Sequence, residues 1–96
     1  MLRLLFDWDA ANVLHLGRHG VSPEEVEEAL LDPRRTGAGA YGRDGERRSA
    51  YIGSTEKERV LFVVTTARRR RLRVVTARDA TDRERRWHRQ RRPEEE

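Results

Sequence analysis

Two apolar runs, "RVLFVVTT" at residues 59–66 and "LRVVTA" at 72–77, flank a block of arginines and set the terms for everything else in the chain. They are the segments that most demand burial, and the short polar connection "ARRRR" between them leaves room for little but a tight reversal. With "RRSAYIG" before them, joined by "STEKE", they read as three successive strands with short connections, an antiparallel meander.

At 96 residues and 11.3 kDa, with 35% hydrophobic and 40% charged residues, the chain can bury one modest core and no more. One domain over residues 1–92 is expected, with the acidic tail at 93–96 disordered. The absence of cysteine rules out disulfides, a thiolate nucleophile and a cysteine metal site. The longest apolar run, Val60 to Val64, is far too short to span a bilayer, and the N-terminus meets aspartates before a signal-peptide core develops, so a cytoplasmic protein is expected.

Ahead of the meander, "LRLLF" at 2–6 reads as a short strand. Asp9 can cap a helix running through His19, with Val13, Leu14 and Leu16 as its apolar stripe and Gly20 where a left-handed residue is wanted. Ser22, Pro23 and Glu25 spell the start of a second helix that should reach about Leu31, where "DP" stops it. Residues 34–46 hold four of the seven glycines and look like a loop or a mobile hairpin arm. Thr81 and Glu84 open a last helix, "TDRERRWHRQRR", with Trp87 as its apolar anchor. The expected fold class is α+β: a small antiparallel sheet of about four to five strands packed with two N-terminal helices and a C-terminal helix. No glycine-rich phosphate loop follows any strand, so a nucleotide fold is excluded.

The net charge of +4 conceals an asymmetry. Residues 1–67 carry nine cations against eleven acids, whereas residues 68–92 carry twelve arginines against three acids. All but Lys57 of the 21 basic residues are arginine, whose planar fork binds phosphate in a bidentate way that lysine cannot match. A phosphate polymer is the first partner to consider, and an acidic protein surface the second. Within the patch, Arg68, Arg69, Arg70 and Arg71 fall in a turn, as a solvated charge cluster or as phosphate contacts. Arg85 and Arg86 lie on a basic helix that can run along a nucleic acid or be covered by an acidic partner segment.

Arg73 alternates with Leu72 and Val74, so it should project from the opposite sheet face, with Val75 and Ala77. There it needs a carboxylate or a bound anion, and Arg78 at the strand's end can reach the same place. His15 and His19 share a helical face at metal-ligand spacing, but no third ligand is evident and no metal is expected. His15 reads as partly buried. His19, in the last turn, is either a capping cation or a general acid whose protonated form the helix terminus favours. None of Ser22, Ser49 and Ser54 lies in a nucleophile-elbow motif.

The stretches "FDWDAANVLHLGRHGVSPEEVEEALLDP" and "YIGSTEKERVLFVVTTARRRRLRVVTARDATDRERRWH" resemble the BrnT-like toxins of type II toxin-antitoxin systems in nearly their whole order of motifs. The resemblance implies a small endoribonuclease with a RelE-type fold that cuts RNA without metal or other cofactor and arrests translation and growth. It further implies a cognate BrnA-like antitoxin as partner, in a homodimer or a toxin-antitoxin hetero-oligomer. It places the family's functional positions on Arg18, His19, Arg73 and Arg78, and its Trp-Asp pair on Trp8 and Asp9. Arginine stands at 18 and asparagine at 12 where lysine is frequent in the family, and the first helix is one residue shorter. An arginine stays charged and is a poor proton donor, so Arg18 can supply charge but little acidity.

Overall fold

The structure, a computed structural model, describes residues 6–90. Two short helices, α1 (Ala10–Gly17) and α2 (Pro23–Leu31), precede four strands, β1 (Thr36–Arg43), β2 (Glu46–Ser54), β3 (Val60–Arg68) and β4 (Arg71–Asp79), and α3 (Asp82–Gln90) closes the order. The strands form one antiparallel sheet in sequence order, so the chain is a small α+β fold of the expected class with four strands and three helices. The glycine-rich segment is not a loop but the edge arm of a hairpin with β2, its register broken between Gly37 and Gly39. The first predicted strand, residues 2–6, lies outside the described residues except for Phe6, which bridges to Leu72 in parallel while the Asp7 N–H donates to the Leu72 carbonyl at 2.9 Å. The acidic tail also lies outside them.

Both N-terminal helices start where their capping residues predict. The Asp9 side chain accepts from the Asn12 N–H at 2.9 Å while the Asn12 side-chain Oδ1 accepts from the Asp9 N–H at 2.8 Å; Ser22 and Glu25 make the same reciprocal pair. α1 is shorter than the sequence suggests. It ends at Gly17, and residues 18–20 form the turn in which Gly20 takes φ +68°. Its apolar stripe also differs: Leu16 is buried, but Val13 and Leu14 are exposed. The sheet-facing side is completed by polar groups, because Asn12 is buried with its amide donating to the Asp7 and Val74 carbonyls. A helix of two turns lying against a strand edge can satisfy that edge only with side-chain donors.

One sheet face is apolar. Leu16, Val21, Val26, Ala29 and Leu30 pack there against Leu61, Val63, Val74 and Ala77. α2 comes so close to β2 that a Cβ on Gly53 would stand 2.0 Å from the Ala29 carbonyl oxygen, which is why this strand position is glycine. Asp32 ends α2 and accepts from the Ser54 N–H at 2.8 Å.

α3 is anchored differently from the sequence reading. Trp87 is 51% exposed, whereas His88 is buried with its Nε2 2.8 Å from Asp32 Oδ2. A helix with almost no apolar residues docks through polar groups: Glu84 meets Arg78, Arg85 donates to the Ala80 carbonyl and Arg34 to the Arg89 carbonyl.

Candidate nucleic-acid interface

The placement of Arg73 follows from a bulge. β3 and β4 pair Val64 with Thr76 but Thr65 with Val74, so Val75 is an extra residue on β4. The insertion breaks strict alternation, and it corrects the expected face: Arg73 lies opposite Ala77, which is in the apolar core with Val74. The same insertion puts Arg78 on the face of Arg73, where simple alternation would have separated them.

Cross-strand partners share a face, and three rows can be traced across this one. Tyr41, Arg48, Thr66 and Arg73 form the row nearest the hairpin tips; Gly39, Ala50, Val64 and Thr76 the middle row; Thr36, Ile52, Phe62 and Arg78 the row nearest α3. Arg73 and Arg78 are thus opposite Thr66 and Phe62, about 13 Å apart along the strand at roughly 3.3 Å per residue.

Each arginine has internal partners. Arg73 Nη1 is 2.9 Å from Asp9 Oδ2 and 3.6 Å from Asp7 Oδ2, yet this buried nitrogen has no aligned hydrogen-bond acceptor among the described residues. It is held by charge more than by a directed bond. The Asn12 N–H, and then Arg73, hold the Asp9 carboxyl below its ordinary value. Arg78 donates to both oxygens of Glu84, at 2.8 and 3.1 Å, with its guanidinium 4.2 Å above the Phe62 ring. That bond, outweighing partial burial, lowers the Glu84 pKa and raises that of Arg78.

His15 and His19 meet edge to face with centroids 5.4 Å apart, and His15 Nε2 is 3.1 Å from Thr76 Oγ1 in the middle row. His19 and Arg18 are exposed at the corner that follows α1. Arg59 fixes that corner: its Nη1 donates to the Gly20 carbonyl at 2.8 Å and to the Glu25 carboxylate, while its other nitrogens grip Asp79. Asp79, against the cost of partial burial and with help from Glu25, raises the Arg59 pKa above its already high ordinary value. Nothing in the spacing of Arg59 signalled this role, because its partners are 34, 39 and 20 residues away. Among the described residues no three histidine or acidic side chains cluster closely enough to hold a metal ion.

A hollow of about 280 Å³ opens beside Arg73, walled by Ala11, Asn12, Glu46, Arg48, Thr66 and Arg68. Arg68 also lines a second, more open depression of about 720 Å³ with Asp7, Asp9, Arg69 and Arg71. Arg70 is exposed at the same hairpin tip. The structure therefore brings Arg73 and Arg68 together and adds Arg48, which the sequence did not single out. Arg78, Arg18 and His19 stand outside this hollow, as do Arg85, which pairs with Asp82, and the exposed Arg86 on α3.

A hollow walled by Arg48, Arg68 and Arg73 on one sheet face marks a small basic α+β domain. The profile of the family described as "Ribonuclease toxin, BrnT, of type II toxin-antitoxin system" matches residues 8–84, most of the chain. The chain belongs to that family of ribonuclease toxins, in which an RNA substrate and a cognate antitoxin are implied. No protein with a curated description matches it. No helix among the described residues is long and apolar enough to cross a membrane.

Proposed function

We propose that this chain is a metal-independent endoribonuclease with a RelE-like fold that arrests growth by cutting RNA and is neutralised by a cognate BrnA-like antitoxin. The observation that carries the reading is the hollow in which Arg48, Arg68 and Arg73 converge within a ribonuclease-toxin family match. Cleavage through the 2′-hydroxyl requires a deprotonated nucleophile, charge to stabilise the phosphorane and a proton for the leaving 5′-oxygen. In this reading Arg73 holds the scissile phosphate, Arg78 serves the far end of the same face, and Arg18 and His19 supply charge and a proton from the α1 corner. Arg68, Arg69, Arg70 and Arg71 extend the contact at the hairpin tip, and Arg85 and Arg86 along α3.

A second reading is a binding module without turnover. The pairing of Arg73 with Asp7 and Asp9, and of Arg78 with Glu84, favours it, because both guanidiniums are already compensated. Incubation of purified protein with RNA in chelator separates the two: cut products support the enzyme, and intact but shifted RNA supports the module. Induction of the chain alone in a bacterium should stop growth and degrade bulk RNA, and Arg73→Ala and His19→Ala should relieve both.

A further inference from the structure

The arginines of the hollow can bind and stabilise a phosphate, but none can accept a proton, since a guanidinium stays charged throughout the accessible pH range. Thr66 and Asn12 on the same wall are no better as bases. Glu46 is the only carboxylate lining the hollow among the described residues. It is the first residue of β2, set by the tight Asp44–Gly45 turn, and it shares a face with Arg48 two residues on. The Arg48 Nε donates to Glu46 Oε1 at 3.0 Å, which fixes the carboxylate's orientation. Oε2 makes no hydrogen bond among the described residues, and the side chain is about one-third exposed, open to an incoming hydroxyl.

We infer that Glu46 is the general base of this site, taking the proton from the 2′-hydroxyl of an RNA whose scissile phosphate lies between Arg48, Arg68 and Arg73. The inference rests on the ribonuclease reading above. The 2′-oxygen bonds to phosphorus as its proton passes to Glu46; the bond from phosphorus to the 5′-oxygen breaks; and that oxygen takes a proton from solvent. A 2′,3′-cyclic phosphate and a 5′-hydroxyl end result, and solvent takes the proton back from Glu46. Arg48 then has two tasks, holding the base and facing the phosphate.

The test compares wild type, Glu46→Gln and Glu46→Ala with a single-stranded RNA in chelator. General-base removal should lower kcat by about 10²- to 10⁴-fold. RNA affinity should hold or increase, because a negative charge leaves the hollow. Added formate should restore part of the Glu46→Ala rate, which a purely structural carboxylate would not allow, and mass spectrometry should find cyclic phosphate ends on wild-type products. A Glu46→Gln kcat close to wild type overturns the assignment, as does a loss of activity that tracks weakened RNA binding or a fall in Tm without formate rescue. Wild-type protein that leaves RNA intact overturns the ribonuclease reading itself, and Glu46 with it.

Discussion

The two faces of the sheet differ in how they treat charge. Against α2, Leu61, Val63, Val74 and Ala77 are buried among aliphatic side chains, and the packing is close enough that Gly53 admits no Cβ. On the other face Ala50, Ile52 and Val64 are buried too, but the two outer rows end in charges, Arg73 and Arg78, balanced by carboxylates from elsewhere in the chain. The first face supplies stability through apolar area. The second keeps ionic groups that a purely structural sheet would replace with hydrophobic ones at little cost, and the replaceable charge is where a ligand can compete. Asp7, Asp9 and Glu84 hold the arginines in place without satisfying Arg73 Nη1.

If the faces divide stability from function in this way, substitutions should separate the two. The largest effect is expected from Arg73→Ala, which should lower RNA cleavage per folded molecule by about 10²- to 10³-fold, as for other preorganised charge donors, on top of the Tm lost by unpairing Asp7 and Asp9. Unchanged cleavage per folded molecule would erase the distinction. Gly53→Ala should do the reverse. Its Cβ meets backbone at Ala29, so the fold should lose about 3 kcal/mol by denaturant titration, with the residual activity per folded molecule unchanged.

The hairpin turns sharpen the contrast. Two of the three have a pair of residues at positive φ: Asp44 and Gly45 at +52° and +76°, and Arg69 and Arg70 at +52° and +65°. Aspartate-glycine suits such a turn, whereas each arginine there costs about 1–2 kcal/mol relative to a residue at ease in the left-handed region. Replacing Arg69 and Arg70 with asparagine and glycine should therefore stabilise the protein by about 2–4 kcal/mol. The same change should weaken RNA binding and flatten its salt dependence by roughly 0.7 in the logarithmic slope for each phosphate no longer neutralised. A stabilised variant with unchanged RNA affinity would show that the arginines are only a solvated tip.

The smallest effect concerns α3. Burial opposes the ionisation of Asp32, but the Arg34 and Ser54 N–H groups and the His88 ring outweigh it, so its carboxyl lies below the ordinary 3.8. A depressed carboxyl contributes stability that is fully present above that value and is lost as pH falls through the folded one. Tryptophan fluorescence of Trp87 should accordingly change with acid below about pH 4, and the Asp32→Asn protein should show less of that change.

Much of this was legible in the chain. The caps at Asp9, Ser22 and Thr81 act within three residues of themselves, so their partners are fixed by local geometry, and the apolar runs at 59–66 and 72–77 form strands because their burial leaves few alternatives. The resemblance to the toxin family rested on the same local order of motifs. Yet alternation alone put Arg73 with Ala77, and helical periodicity alone made Val13 and Trp87 into anchors.

What only the tertiary structure decided is whatever depends on distant partners. The bulge at Val75 exists because β3 and β4 fit together with one residue in excess, and no property of "LRVVTA" by itself announces that. His88 became the anchor of α3 because Asp32, 56 residues earlier, ends α2 beside it. Glu46 and Arg48 came to face Arg73 because β2 and β3 carried them across the sheet. Sequence patterns report the bonding that neighbours impose on one another; a hollow is made by residues whose only acquaintance is through the folded core.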